Sequence, residues 1–368
     1  MSYLRLLIVA FVFAAAPVLA GPLEDGKAAY LRKDYATAIK TFRELAAMGN
    51  ADAQLNLGNM YANGQGVPED LQQAAFWYLK AADQGNADAQ IFLGVMYFRS
   101  DKQQQAASWV RKAADQGNAD AQNILAAMYE GGQGVPKDEQ QALSLYRKAA
   151  DQGNAGAQYH LGLLYKKGLG QGVPKDEQQA AFWYRKAADQ GNADAQVRLG
   201  WMYANGQGVP KDDEQAVSLY RKAADQGNAD AQNNLGTTYQ DGQGVPKDDQ
   251  QAAFWYRKAG DQGHANAQTN VGAMYALGQG VPKDDEQALS WYRKAADQGN
   301  AGGQYNLGLM YANGQGVPKD DQQAYFWWLI ASVGGNTSAI KNRDLIESRI
   351  TPQQRAAAQA EARNWRPR

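Results

Sequence analysis

The sequence predicts an all-α protein, a solenoid of stacked antiparallel helix hairpins. An eight-residue segment that begins Asp-Gln-Gly-Asn occurs at 83–90, 115–122, 189–196 and 225–232, and three looser copies lie at 151–158, 261–268 and 297–304. The glycine of this segment, together with Gly49 and Gly335, recurs every 36 residues, with one step of 32 and one of 38. Periods of this length are typical of supersecondary units that contact only their neighbours.

The first 20 residues have the pattern of a secretory signal peptide. Arg5 precedes an apolar run at 6–16, and Ala20 supplies a small residue at a cleavage position. We predict cleavage after Ala20 and a periplasmic or secreted mature protein, and the absence of cysteine is compatible with the bacterial periplasm. The alternative is an uncleaved membrane anchor, although the apolar run is shorter than the roughly 20 residues that a spanning helix needs.

Residues 21–49 are predicted to form a shorter hairpin that caps the solenoid. Its helices are expected at 23–32 and 35–48, with Lys33 and Asp34 as the connection.

Residues 50–85 serve as the reference repeat. Asn50 is a favourable N-cap, and the carboxylate of Asp52 favours the positive end of a helix. Gly58 leaves room for the close approach of another helix, and Gly64 suits a left-handed C-terminal cap. We therefore predict a first helix between Asn50 and Gly64, with a buried face of Ala53, Leu57, Met60 and Tyr61.

A second helix is predicted after the linker 64–70. Pro68 cannot continue a helix from upstream, and Asp70 with Gln73 forms a capping-box pattern that recurs in six later repeats. Its buried face is expected to comprise Ala74, Trp77, Tyr78 and Ala81. Because Gly85 closes the unit, each repeat should be an antiparallel helix hairpin.

Eight such repeats are predicted over 50–335, followed by a helical cap over 336–368 with helices at 337–348 and 352–365. The second repeat lacks four linker residues and the fourth has two extra ones, so we expect both to alter the local stacking.

Composition excludes several classes of chemistry. The formal charge is −1, from 37 basic and 38 acidic residues interspersed along the chain, so nucleic acid is not an expected partner. There is no cysteine, and the only two histidines, His160 and His264, lie in different registers of the repeat. We therefore predict a monomer without catalytic residues, metal or cofactor.

These motifs resemble the Sel1-like repeat family, a branch of the tetratricopeptide-like helical solenoids. The resemblance covers residues 50 to 335, and the hairpin before them looks closer to an ordinary tetratricopeptide unit. It implies a right-handed superhelix that acts as an adaptor, with the first helix of each hairpin on the concave side. Exported bacterial members of the family are linked to envelope assembly, signalling or contact with host proteins. The marker residues are Ala53, Leu57, Gly58 and Tyr61, then Gly64, Gly66, Val67 and Asp70, then Ala74, Trp77, Tyr78, Ala81, Ala82 and Gly85.

The informative positions are those at which the repeats differ. Asn56, Asn59 and Asn63 are predicted to project away from the buried face of the first helix. The second to fifth repeats carry bulky or cationic residues there, whereas the others carry mainly small or amide side chains. Since aromatic and arginine side chains dominate interface energetics, we predict that a protein or peptide partner binds Phe92, Val95, Arg99, His160, Leu163, Lys167, Arg198 and Trp201.

Two alternatives remain open from the sequence. The bulky residues Phe92, Ile124, Leu163 and Trp201 could instead fill gaps between repeats. The protein could also be an envelope enzyme or a glycan- or β-lactam-binding protein, since some cysteine-rich relatives are associated with β-lactams and Ser338 and Lys341 match a Ser-x-x-Lys motif. The other motifs that accompany Ser-x-x-Lys in such proteins are missing, which favours the scaffold.

Overall fold

Helices account for all the regular secondary structure of residues 21–168 and 174–367, which are the residues that the computed structural model describes. The chain divides into two units, Met1–Lys175 and Asp176–Arg368. The predicted signal peptide lies outside the described residues, as does most of the lengthened linker in the fourth repeat.

The first unit contains nine helices within its described residues, each of 10 or 13 residues. They are α1 Pro22–Leu31, α2 Tyr35–Ala47, α3 Ala51–Asn63, α4 Leu71–Asp83, α5 Ala87–Arg99, α6 Gln103–Asp115, α7 Ala119–Gly131, α8 Glu139–Asp151 and α9 Ala155–Lys167.

The second unit contains eleven helices within its described residues. They are α10 Glu177–Asp189, α11 Ala193–Asn205, α12 Asp213–Asp225, α13 Ala229–Asp241, α14 Asp249–Asp261, α15 Ala265–Leu277, α16 Asp285–Asp297, α17 Ala301–Asn313, α18 Asp321–Val333, α19 Thr337–Glu347 and α20 Pro352–Asn364.

Within each unit the helices pair as hairpins that stack in chain order. In the first unit α3 packs along α4, α5 along α6 and α7 along α8, and the second helix of each hairpin also packs on the first helix of the next. The same scheme runs from α11 to α18 in the second unit. The predicted all-α solenoid of antiparallel hairpins is therefore confirmed.

The helix ends form where the sequence predicts them. Asn50 accepts a hydrogen bond from the backbone N–H of Ala53 and caps α3, which ends at Gly64 with φ +64°. Asp70 accepts from the backbone N–H groups of Gln72 and Gln73 at the start of α4. Most of the predicted buried face is confirmed, because Ala53, Leu57, Met60, Ala74, Tyr78 and Ala81 are almost completely buried. Tyr61 and Trp77 are only half-buried.

The predicted capping box is only half formed at Asp70. The backbone N–H of Asp70 does not bond to Gln73, because it donates to the carbonyl of Tyr61 at 2.9 Å. In five other hairpins the backbone N–H of the N-cap aspartate likewise donates to the carbonyl of a tyrosine in the first helix. These aspartates are Asp138, Asp212, Asp248, Asp284 and Asp320. The backbone N–H that a capping box would use is therefore already bonded to the first helix of the same hairpin. A complete capping box does form between Thr351 and Gln354 of α20.

The linker of each regular hairpin lies against the start of the preceding second helix. Gly208 has φ +67°, and a Cβ added there would be 2.1 Å from the carbonyl oxygen of Glu177, the first residue of α10. Gly134 approaches Gln103 of α6 in the same way. These contacts require glycine because there is no room for a side chain and because the backbone is left-handed.

The shortened linker of the second repeat leaves the hairpin itself intact. A turn through Asp101, with φ +57°, joins α5 to α6, which pack along each other like the other pairs. What is lost is the linker segment that would cover the start of α4. The deletion that we expected to alter the stacking of the second repeat thus leaves the start of α4 uncovered.

The C-terminal cap has the two predicted helices but an unexpected packing. Helix α20 packs on α18, and Gln359 Nε2 donates to the hydroxyl of Tyr325 at 3.2 Å. The ring of Trp365 meets that of Trp327 edge-on, with 6.4 Å between centroids.

Candidate functional site

The recurring Asp-Gln-Gly-Asn segment joins each hairpin to the next. Asn86 Oδ1 caps α5 by accepting from the backbone N–H of Ala89, while its Nδ2 donates to Asp52 Oδ1 of the preceding hairpin at 3.0 Å. Asn154 and Asn228 make the same bond to Asp120 and Asp194. Asp52, Asp120 and Asp194 therefore do more than compensate the helix dipole, because each also accepts a hydrogen bond from the asparagine that starts the first helix of the next hairpin.

The final glutamine of this segment forms a buried link. Gln90 Nε2 donates to the carbonyl of Ala82 at 3.0 Å, and Gln90 Oε1 accepts from Gln116 at 2.8 Å. The same two bonds, to the end of the preceding helix and to the glutamine that ends its own hairpin, recur at Gln54, Gln122, Gln196, Gln232 and Gln268. These hydrogen bonds account for the identical glutamines and asparagines of the segment.

In the first unit, the varying residues of α5 lie partly against neighbouring helices. The ring of Phe92 stacks on Tyr78 of α4, with centroids 5.2 Å apart and an interplanar angle of 21°. Val95 packs beside the cluster formed by α6 and α7. Both side chains are half-buried.

The varying residues of α9 follow the same pattern. His160 stacks on Tyr146 of α8, with centroids 4.8 Å apart and an interplanar angle of 14°. Leu163, one turn further on, is half-buried, as is Ile124 of α7. Phe92 and His160 each lie 14 residues after the tyrosine that they contact, a spacing that could have been read from the sequence.

The prediction that Asn59 projects away from the buried face is wrong. Asn59 is half-buried, and its Oδ1 accepts from the hydroxyl of Tyr78 in the same hairpin at 2.7 Å. Burial raises the pKa of Tyr78, so this hydroxyl stays protonated and available as a donor. Val95 and Leu163 occupy the equivalent position, which explains their partial burial.

Two cations extend from the ends of these helices into solvent. Arg99 at the end of α5 and Lys167 at the end of α9 are exposed, and neither forms an ion pair within the described part of the chain. Each lies about one turn beyond the half-buried apolar residue of its helix.

In the second unit, Arg198 and Trp201 lie one turn apart on α11. Arg198 is exposed, and Trp201 leaves 39 % of its surface accessible. Arg198 also acts on Asp230 of α13, whose pKa it helps to lower after the larger effect of His264.

The two histidines have separate structural roles, as their different registers predict. His264 caps α15 by accepting from the backbone N–H of Ala267 at Nδ1, and its Nε2 lies 3.0 Å from Asp230. Across residues 21–168 and 174–367, no group of three or more His, Asp or Glu side chains is arranged to hold a metal ion.

The Ser-x-x-Lys match lies on an open helix surface. Ser338 and Lys341 are both exposed on α19, and no hydrogen bond joins their side chains in the described residues.

Comparison with known protein families agrees with this architecture. The sequence model described as Sel1 repeat matches eight successive segments, at residues 51–86, 87–118, 119–154, 155–192, 193–228, 229–264, 265–300 and 301–336. The chain belongs to the Sel1 repeat family. None of the curated proteins compared with it matches.

Two solved Sel1-type structures resemble the chain closely. A protective antigen of uropathogenic Escherichia coli strains, which displays an SLR fold, is 38 % identical with a TM-score of 0.79, covering 94 % of this chain and 75 % of the antigen. A Sel1 repeat protein from Oxalobacter formigenes is 34 % identical with a TM-score of 0.61, covering 66 % of this chain and 96 % of that protein.

Sel1 repeat proteins generally act as scaffolds that bind other proteins, and the family is typically non-enzymatic. Among the helices of the described residues, none has the length and apolar composition needed to cross a bilayer.

Proposed function

We propose that this Sel1 repeat protein is an exported, non-enzymatic adaptor that binds a partner through the varying residues of its first helices. One observation carries the proposal. The hydrogen bonds that join the hairpins use residues that repeat, whereas on the first helices the exposed Arg99, Lys167 and Arg198 and the partly exposed Trp201 occur where the repeats differ.

The chemistry of these residues suggests what the partner presents. Phe92, Val95, His160 and Leu163 offer partly exposed apolar surface in the first unit, and Arg99 and Lys167 offer charges without an internal counterion. A segment with apolar side chains followed by Asp or Glu complements each helix, because the charge contacts add orientation to apolar burial.

In the second unit we propose that Trp201 is the main anchor. Tryptophan and arginine are the side chains most often found at the energetic centre of an interface. Trp201 and Arg198 on one helix face supply both, with Trp201 accessible before any partner binds.

Site-specific photocrosslinking tests the proposal. A photoreactive residue at Arg99, Lys167 or Trp201 should capture the same partner from the native envelope fraction. The matched controls are Ser108 and Ser218, which are exposed on the second helices α6 and α12. Equal capture from the control positions would contradict the assignment of this surface.

Replacing Arg99, Arg198 and Trp201 together by alanine separates binding from stability. All three are exposed, so we expect an unchanged melting temperature and loss of the crosslinked partner. A lower melting temperature with capture intact would support gap filling instead.

Export rests on residues 1–20. We propose that cleavage after Ala20 releases a protein made of a capping hairpin at 21–49, eight repeats at 50–335 and a helical cap at 336–368. N-terminal sequencing of the protein from the envelope fraction should begin at Gly21, whereas retention of Met1 would indicate an anchor.

A further inference from the structure

Helix α4 carries an apolar stripe on its outer surface. Leu71, Phe76 and Leu79 leave 55 %, 47 % and 38 % of their surfaces accessible. At about 100° per residue they fall within roughly 140° of the helix circumference. The three side chains therefore form one exposed stripe.

The second helices of the other repeats carry polar residues at the position of Leu71 and, except in α18, at the position of Leu79. The counterparts of Leu71 are Gln103, Glu139, Glu177, Asp213, Asp249, Asp285 and Asp321. The counterparts of Leu79 are Arg111, Arg147, Arg185, Arg221, Arg257 and Arg293, with leucine only at Leu329. At the position of Phe76 the repeats carry serine or phenylalanine.

The shortened linker explains why Leu71 is uncovered. In regular hairpins a linker glycine lies against the first residue of the preceding second helix, as Gly134 does against Gln103. Leu71 is the first residue of α4, and the linker that would reach it is the one that lacks four residues.

Helix α18 shows what covers such a stripe. Among the second helices of the eight repeats, only α18 shares with α4 both the phenylalanine and the leucine, as Phe326 and Leu329. There the chain's own α20 packs on the helix, and Phe326 is only 3 % accessible. The covering helix presents a buried Ala358, a half-buried Ala362 and the indole of Trp365.

Two other second helices have an exposed phenylalanine but no leucine at the position of Leu79. Phe182 and Phe254 are exposed, but Arg185 and Arg257 occupy the position of Leu79. Arg185 donates to the hydroxyl of Tyr203, and Arg257 lies 3.8 Å from Asp261. An apolar helix that packed there would have to desolvate these charges, so α4 differs from both.

We propose that the stripe of Leu71, Phe76 and Leu79 docks an amphipathic helix of a partner protein, with an alanine-rich face and a bordering aromatic residue like those of α20. Lys80, whose Nζ lies 4.8 Å from the centre of the Phe76 ring, places a positive charge at the border. This surface is distinct from the varying residues of the first helices and does not depend on the function assigned to them.

A peptide with the sequence of residues 350–367 is the probe. Labelled with a fluorophore, it should bind the full chain, as followed by anisotropy. The test variant combines Leu71→Gln, Phe76→Ser and Leu79→Arg, which are the residues that α6 carries at these positions, as Gln103, Ser108 and Arg111. We expect the variant to lose about tenfold or more in peptide affinity, a loss typical of removing an aromatic anchor.

Phe182→Ser is the matched control, since it removes an outer phenylalanine that has an arginine beside it. It should leave peptide affinity unchanged. Circular dichroism establishes that each variant is folded, and the single substitution Phe76→Ser replaces the triple variant if the latter does not fold.

Three results would overturn the proposal. The first is no peptide binding by the unmodified chain. The second is equal binding by the triple variant, which would place the peptide elsewhere, including on α18. The third is a dimer in analytical ultracentrifugation that the triple variant abolishes, since the stripe would then bind a second copy rather than a partner helix.

Discussion

At the scale of single residues, His264 shows how one side chain can serve two hydrogen-bonding roles at a helix start. Its Nδ1 accepts from the backbone of Ala267, so in the neutral ring the proton resides on Nε2, which faces Asp230 at 3.0 Å. The bond from His264 is the largest cause of the lowered pKa of Asp230, ahead of the opposing effect of burial.

This pair predicts a pH-dependent stability difference between the wild type and Asp230→Asn. A lowered pKa means that the ionised Asp230 stabilises the fold above its ordinary pKa of 3.8, and that this contribution is lost as the pH falls through the lowered value. Urea unfolding should therefore find the wild type more stable at pH 7 and the two proteins equal in strong acid. The difference should shrink in a His264→Ala background, and a difference independent of pH would contradict the assignment.

Gly208 gives a second prediction at this scale. A Cβ at Gly208 would meet the backbone of Glu177, whereas Gly227, also left-handed with φ +91°, has no atom within 4 Å of its added Cβ among the neighbours considered. We expect Gly227→Ala to cost about 1 kcal/mol of backbone strain and Gly208→Ala about 3 kcal/mol or more. Thermal and urea unfolding of the two variants compare them directly, and equal losses would show that the contact with Glu177 is unimportant.

At the scale of helices, the buried glutamines join three chain segments at each junction. Gln232 donates to the carbonyl at Ala224, the penultimate residue of α12, and accepts from Gln262 after α14. Cores of alanine, leucine and tyrosine could pack in several alignments, but these two bonds fit only one. The glutamines therefore fix how far each helix slides along its neighbours.

Gln232→Leu should consequently cost about 1–3 kcal/mol, because it removes both hydrogen bonds of a buried side chain and leaves the carbonyl of Ala224 with only the bond from the backbone N–H of Gly227. Gln232→Glu should cost more at neutral pH, since a carboxylate can accept from Gln262 but cannot donate to Ala224. Urea unfolding of both variants checks the order, and a neutral or stabilising Gln232→Leu would contradict the proposed role.

At the scale of the whole molecule, a repeat protein is stabilised mainly by contacts between neighbouring hairpins, so its ends need covering. The end of the second unit is covered by α20, which packs on α18 and joins the core cluster that contains the buried Phe326 and Trp327. Because the same type of phenylalanine is exposed on α10 and α14, burial at this site is a property of the end rather than of the repeat.

Truncation after Ser348 should therefore expose the outer face of α18. We expect a lower melting temperature, binding of a hydrophobic dye and faster hydrogen exchange in α17 to α19, with little change in the first unit. Adding Phe326→Ser and Leu329→Arg, the residues of other repeats, should reduce dye binding. If exchange increased equally in every hairpin, stability would not be local to the end.

Much of the fold could be predicted from the sequence, because helix starts, glycine ends and buried faces depend on neighbouring residues in the chain. The half-formed capping box at Asp70 could not be predicted, since its donor is taken by Tyr61 from the other helix of the hairpin. Nor could the partial burial of Val95 and Leu163, which depends on how deeply the first helix sits against its neighbours. The partner assigned to the varying residues stays a prediction.

The sequence by itself determined the repeat length, the hairpin unit and the family, because each rests on short-range periodicity that recurs eight times. Only the tertiary structure decided which outer residues are covered. Phe76 and Phe326 occupy the same position in their repeats, yet one is open to solvent and the other is buried in the core cluster that α20 joins. The physical reason is that the burial of an outer residue depends on which distant segment of the chain packs on its helix. The local pattern of residues does not specify that segment.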